Sequence, residues 1–114
     1  MHEMSYIIRL ADLAAKTAKE QEAKRVKKIV VEVGKMTGIE PYYMQKYYKT
    51  AIRGTILDGS EIELIPVEVT AKCACGKEYT PTAAYDYLCP DCGGGSCKIT
   101  GGRDVILKEV AIEV

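Results

Sequence analysis

KCACGKEYTPTAAYDYLCPDCGGGSCK, residues 72–98, holds all five cysteines of a 114-residue chain and has strand-forming sequence on either side. A chain that leaves a sheet, builds a small cysteine module and returns to the sheet accounts for that order most simply. Within the stretch, CPDCG (89–93) is a C-x-x-C followed by glycine. Closely spaced thiolates need backbone amides turned toward their sulfurs, and glycine permits that turn. CACG (73–76) resembles the partner knuckle but is one residue short. Residues 76–88 are long enough to form a hairpin or loop that brings the two pairs together.

Four thiolates with no histidine nearby suit tetrahedral Zn(II) in a closed, structural site. Disulfides fit poorly with a reducing compartment, and bare thiols fit poorly with the knuckle glycines. Iron in a rubredoxin-like site stays as the alternative metal. The two knuckles designate Cys73, Cys75, Cys89 and Cys92 as the zinc ligands and leave Cys97 as a spare thiol. If the tight C-x-C is strained, Cys97 replaces Cys73 in that set. A module this small buries little surface, so the metal would supply much of its folding free energy.

Upstream, residues 5–24 read as a helix. Ile7, Leu10, Ala11, Ala14, Ala15 and Ala18 recur at three- and four-residue intervals. KKIVVEVGK (27–35) is a β-branched run that reads as a buried strand closed by Gly34. A second helix follows, with Pro41 at its first position and Gly54 as its stop. Met44, Tyr47, Tyr48, Ala51 and Ile52 form its apolar stripe, and the tyrosine pairs 42–43 and 47–48 read as core and rim. Asp58-Gly59 marks a turn into an extended segment, where Pro66 predicts an edge strand or a bulge. Downstream of the cysteines, GGRDVILKEVAIEV (101–114) reads as a strand with Val110, Ile112 and Val114 alternating against polar neighbours.

The fold class expected is therefore α+β: two helices packed on a small mixed β-sheet, with an inserted zinc-ribbon-like module. The boundaries expected are 1–70 and 101–114 for the α/β domain and 71–100 for the zinc-binding module.

Composition narrows the function. Hydrophobic residues make up 47% of the chain and the formal net charge is zero, as in an ordinary soluble globular protein. Balanced charge argues against a partner recognised mainly by electrostatics, such as nucleic acid or an anionic membrane. The basic run KRVKK (24–28) reads as a solvated helix end. No segment approaches the ~20 apolar residues of a membrane span. The apolar opening lacks a basic leader and carries Glu3, Arg9 and Asp12, so the cytoplasm is the expected compartment. No nucleophile-and-base constellation or phosphate loop suggests an enzyme.

The chain's single histidine is its second residue, in MHEMS. An α-amine at residue 1 and an imidazole at residue 2 make a natural chelate. The amine and the His2 amide nitrogen close a five-membered ring around a metal, and that amide with His2 Nδ1 closes a six-membered one. Ni(II) and Cu(II) can enforce loss of the amide proton in square-planar geometry. One position then remains for Glu3, water or a partner's group. Protons compete for each nitrogen, so acid weakens such a site. Open and acid-labile, it suits a protein that hands metal on.

The combination carries more than either part. MHEMS followed by a helix, VVEVGKMTGIEP (30–41), IRGTILDGSEIEL (52–64), two cysteine knuckles and the closing GGRDVILKEVAIEV resembles the HypA family from end to end. That family consists of nickel metallochaperones for maturation of NiFe hydrogenases. The resemblance implies that Met1, His2 and Glu3 bind nickel as transferred cargo, while the cysteines hold structural zinc. Glu3 would assist at the metal or in communication with the zinc domain. The implied partners are the GTPase HypB and the hydrogenase large subunit or its maturation complex, with urease as another enzyme served in some organisms. A homodimer is compatible with the family. The short first knuckle departs from its usual C-x-x-C, which bears on Cys73. Tyrosines also stand in the second helix where many relatives have Phe or Leu. The competing reading is a zinc-ribbon adaptor with an idle His2. Lys72, Lys77 and Lys98 would then face phosphates, but Glu78, Asp86 and Asp91 sit among them and no basic stripe forms.

Overall fold

A computed structural model describes residues 3–114 of the chain; the candidate nickel ligands Met1 and His2 lie outside the described residues. The chain runs α1 (Glu3–Glu20), β1 (Arg25–Gly34), a 3-10 turn (Lys35–Thr37), α2 (Pro41–Ala51) and β2 (Glu61–Val67). It continues as β3 (Thr70–Cys73), β4 (Glu78–Tyr79), a second 3-10 turn (Ala83–Tyr85), β5 (Cys97–Gly101) and β6 (Val105–Glu113).

The helical stripe read from the sequence buries Ile7, Leu10, Ala14 and Ala18 of α1. The helix stops four residues earlier than its expected end at Lys24. The Ala23 amide donates to Ala18 O at 3.0 Å and the Glu22 amide to Lys19 O at 3.0 Å. Glu22 adopts a left-handed φ of 53°, so these bonds form a Schellman closure with glutamate in the usual glycine position. KRVKK is consequently not a helix end. Arg25 begins β1, Val26 is buried, and the charges pair across the sheet as Arg25–Glu113 at 2.8 Å and Lys28–Glu63 at 2.6 Å.

The first sheet has the order β2-β1-β6, with β2 parallel and β6 antiparallel to β1. Parallel strands need a crossover, which the first 3-10 turn and α2 supply. Pro41 stands in the first turn of α2, and Met44, Tyr48 and Ile52 face the core. Tyr42, Tyr43 and Tyr47 form the exposed rim, Tyr43 stacked on Tyr47 with ring centroids 6.0 Å apart. β2 is an edge strand, where Pro66 is tolerated. β6 keeps a simple alternation only in part. Its pairing with β1 slips at Lys108, so Leu107 and Val110 both pack on the core. Val114, expected to continue the pattern, lies beyond the strand and is 76% exposed.

Between β2 and β6 the chain builds a second sheet, order β4-β3-β5, all antiparallel. Ala71, Cys73, Tyr79 and Cys89 form its own small core with Ile99 against them. The α+β expectation, with an inserted zinc-ribbon-like unit, matches this arrangement. The two sheets meet where β1 ends. There the Gly34 amide donates to Asp104 O and the Met36 amide to Gly102 O, each at 2.9 Å. The approach is so close that a Cβ on Gly34 would stand 2.2 Å from Gly102 O.

Candidate metal centre

Cys73 is the last residue of β3, and the chain turns immediately. The Gly76 amide donates to Cys73 O at 2.9 Å, and the Cys73 amide donates to Lys77 O at the same distance. Gly76 at φ 95° makes that turn, a conformation only glycine adopts without strain. One sulfur thus projects from a strand end and the next from the turn tip, which is how C-x-C spacing delivers two thiols to one place. The second knuckle is wound similarly. The Gly93 amide donates to Cys89 O at 2.9 Å, the Cys89 amide to Gly94 O at 3.0 Å, and the Gly94 amide to Cys92 Sγ at 3.4 Å.

The four sulfurs of Cys73, Cys75, Cys89 and Cys92 all lie within 4.8 Å of one another. Cys73 Sγ is 3.5 Å from Cys92 Sγ, and Cys75 Sγ is 3.7 Å from Cys89 Sγ. Disulfide bonds are ~2.05 Å, so these are not disulfide pairs. A tetrahedral four-thiolate zinc with bonds of ~2.3 Å places its sulfurs ~3.8 Å apart, and the observed spacings fit it. Cys73 and Cys89 are buried while Cys75 and Cys92 are exposed, so the centre sits at the surface of its sheet.

The local field favours this use. The Cys92 amide, directed at the Cys89 sulfur, pulls that thiol down to about 7, a bias toward thiolate. Amides of Cys75 and Lys77 act the same way on Cys73 and Cys75 respectively, but the crowding of neighbouring thiols and burial outweigh them and raise both. Four thiols packed this closely resist ionising together unless a cation joins them. Zinc, when bound, supplies that charge and cross-links the two turns.

Cys97 stays outside the cluster. It opens β5, directly opposite Cys73, and is exposed. Beside it lies a feature that sequence reading missed. Tyr79 is 8% exposed, and among the described residues its hydroxyl meets no partner at good hydrogen-bond geometry. Cys97 is the neighbour that acts on it most strongly, with burial next, and its ionisation is pushed up to about 12. Glu3, a candidate ligand on sequence grounds, sits in an unexpected setting. It is 5% exposed at the start of α1, and its Oε2 accepts a 3.3 Å hydrogen bond from the Glu40 amide just ahead of α2. Nothing local signals a contact spanning 37 residues. On the second sheet, Lys72 lies opposite Lys98, but Glu78 flanks Lys72 on β4, so the basic residues remain interrupted by acid.

The sequence profile of one family, described as "Hydrogenase/urease nickel incorporation, metallochaperone, hypA", matches residues 1–112. The chain belongs to the HypA family. Hydrogenase maturation factor HypA of Aquifex aeolicus is 35% identical over 115 residues, covering 100% of this chain and 99% of the relative. The HypA of Methanocella arvoryzae is 36% identical, with 100% of each chain covered. Among solved structures, the solution structure of the Ni metallochaperone HypA from Helicobacter pylori superposes with a TM-score of 0.76 at 21% identity. It covers 99% of this chain and 98% of that one. A second HypA solution structure gives a TM-score of 0.77 at 23% identity, covering 98% and 96%. At these identities the structures speak for the fold. HypA proteins are maturation factors rather than enzymes. Among the described residues, no helix is long and apolar enough to cross a membrane.

Proposed function

We propose that this chain is a nickel metallochaperone that binds Ni(II) at its amino terminus and delivers it for maturation of NiFe hydrogenase, and of urease where that enzyme is served. The observation that carries the reading is the family match over residues 1–112, which takes in both MHE and the cysteine cluster. It favours this reading over the adaptor one, in which His2 is idle.

In this reading Met1 contributes its α-amine and His2 its amide nitrogen and imidazole. The Glu3 carboxylate is buried and already accepts the Glu40 amide, so the carboxylate serves as a tether. The fourth donor we assign to Glu3 is its backbone amide nitrogen, which at the first position of α1 has no helical acceptor to satisfy. The same tether joins the nickel end of α1 to the start of α2. Cys73, Cys75, Cys89 and Cys92 hold one structural zinc. Residues 1–70 and 101–114 make the nickel-binding α/β domain, and 71–100 the zinc module. The partners we assign are the GTPase HypB and the hydrogenase large subunit or its maturation complex. A four-thiolate site needs a reducing compartment, and we place the protein in the cytoplasm.

Titration of zinc-loaded protein bearing its native amino terminus with Ni(II), followed by visible absorption and calorimetry, tests the assignment. One equivalent should bind with a square-planar spectrum. His2→Ala and an N-terminally extended chain should each lose it, and acidification should weaken it. Nickel retained by both variants would place the cargo elsewhere.

A further inference from the structure

We propose that the outer face of α2 is a docking surface for an acidic, amphipathic segment of a partner protein. This surface is independent of whatever metal the amino terminus carries, and so stands apart from the nickel reading.

The net charge of zero conceals a local imbalance. From Pro41 to Leu57 the chain carries Lys46, Lys49 and Arg53 and no acidic residue. Tyr42, Lys46, Lys49 and Arg53 follow one another at intervals of four, three and four residues, so they form one ridge along the helix and the turn that ends it. All four are exposed, while Met44, Tyr48 and Ile52 are buried on the opposite side. Like charges at those intervals repel one another and weaken a helix. A solvated face ordinarily relieves this with interspersed acid. Among the described residues, however, the salt bridges involve Arg25, Lys28 and Lys35, none of them on α2. The nearest acid stands at the margins. Glu40 precedes the helix, Asp58 accepts the Gly54 amide at 3.0 Å, and Glu61 lines a groove beside Lys49.

Aromatic surface flanks the ridge. Tyr43 and Tyr47 are 44% and 37% exposed and stand one helical turn apart. Their rings stack at 6.0 Å with planes 17° apart, and Tyr42 meets Tyr43 edge-on at 5.3 Å. Rings fixed against one another lose little freedom on binding, and tyrosine and arginine are the side chains that anchor protein interfaces. The matching segment presents carboxylates at three- and four-residue intervals to the cations and aliphatic side chains to the tyrosines. The ridge from Tyr42 to Arg53 is ~16 Å long, about three turns of a partner helix.

Single-stranded nucleic acid is the other polyanion that basic and aromatic groups can attract, and two observations favour protein. Bases bind by stacking on accessible rings, whereas Tyr43 and Tyr47 lie too close together to admit a base between them. Three cations on a chain of zero net charge also release few counterions, the term that drives nucleic-acid binding.

NMR titration of the full chain with a synthetic three-turn helix tests the assignment, the peptide carrying glutamate and leucine at three- and four-residue intervals. The amides of Lys46, Tyr47, Lys49 and Arg53 should shift saturably, and binding should weaken several-fold as salt rises from about 0.1 M to about 0.5 M. Lys46→Glu with Lys49→Glu should weaken it about tenfold or more with the far-UV circular dichroism unchanged. A peptide with lysine in place of glutamate should prefer that reversed variant to the native chain. Tyr43→Ala should weaken the glutamate peptide about fivefold while leaving its salt dependence as it was. Affinity that survives charge reversal, shifts confined to other elements, or no saturable shift on α2 would each overturn the proposal. An oligothymidylate that bound the same amides more tightly than the peptide would also overturn it, in favour of a nucleic-acid surface.

Discussion

Tyr48 shows how far a single residue can be read from its spacing. The helical interval places it on the apolar stripe of α2, and it is 1% exposed. The interval does not reveal its hydroxyl's partner, Ser60 Oγ at 2.6 Å, twelve residues on and past a turn. Neither the polarity of serine nor its position at the foot of β2 marks it as an acceptor or donor for that ring. Tyr48→Phe keeps the packing and strands the Ser60 hydroxyl, which is itself 8% exposed. The expected cost is about 1–2 kcal/mol, measured as a fall in the urea midpoint with unchanged slope. Burial raises the Tyr48 pKa above its ordinary value of 10.0, ahead of the opposing effect of Ser60. The folded state therefore holds the phenolic proton more tightly than the unfolded chain. That stability is fully present below pH ~10 and is lost as pH rises through the folded value, so Tyr48→Phe should blunt alkaline unfolding.

Among elements, β1 and β6 mark the limit of pattern reading. The β-branched run announces β1, but its start is set by the Schellman closure at Glu22, where a glutamate occupies a position that sequence reading reserves for glycine. In β6, the slip at Lys108 changes which side chains face inward, and a bulge has no composition of its own. The glycine that ends β1 is similarly opaque. Gly34 has an ordinary extended backbone, φ −67° and ψ 132°, so its conformation does not demand glycine. Its need is steric, because the chain leaving β5 crosses it at Gly102. Gly38, by contrast, has φ +69° and open space around its Cβ position. Gly34→Ala should destabilise by about 2–3 kcal/mol through overpacking against rigid backbone, and Gly38→Ala by about 1 kcal/mol through strain alone. Equilibrium denaturation of the two variants should rank them in that order, and the reverse ranking would mean that the crossing yields easily.

For the whole molecule, the order of elements was the most legible feature. Strand sequence on both sides of a cysteine stretch implies an insertion, and β2 and β6 lie on either side of β1 as that implies. What the sequence hides is how little the two units share. The radius of gyration is 17.5 Å and the molecule measures 54 × 26 × 16 Å. A single compact core of this length would have a radius near ~13 Å. The first sheet and both helices bury a core that includes Ile7, Ile29, Val31, Met44 and Tyr48, whereas only Ala71, Cys73, Tyr79 and Cys89 are buried in the second. Two of those four are proposed zinc ligands, so the second unit has almost no hydrophobic core to fall back on. Stripping zinc with a strong chelator should therefore melt β3–β5 selectively. In hydrogen exchange, the amides of Cys73 and Cys89 should lose protection by about an order of magnitude or more, while those of β1 stay slow. Equal loss in β1 would show that the Gly34–Gly102 crossing couples the units into one cooperative structure, and the metal would then stabilise the larger sheet as well as its own module.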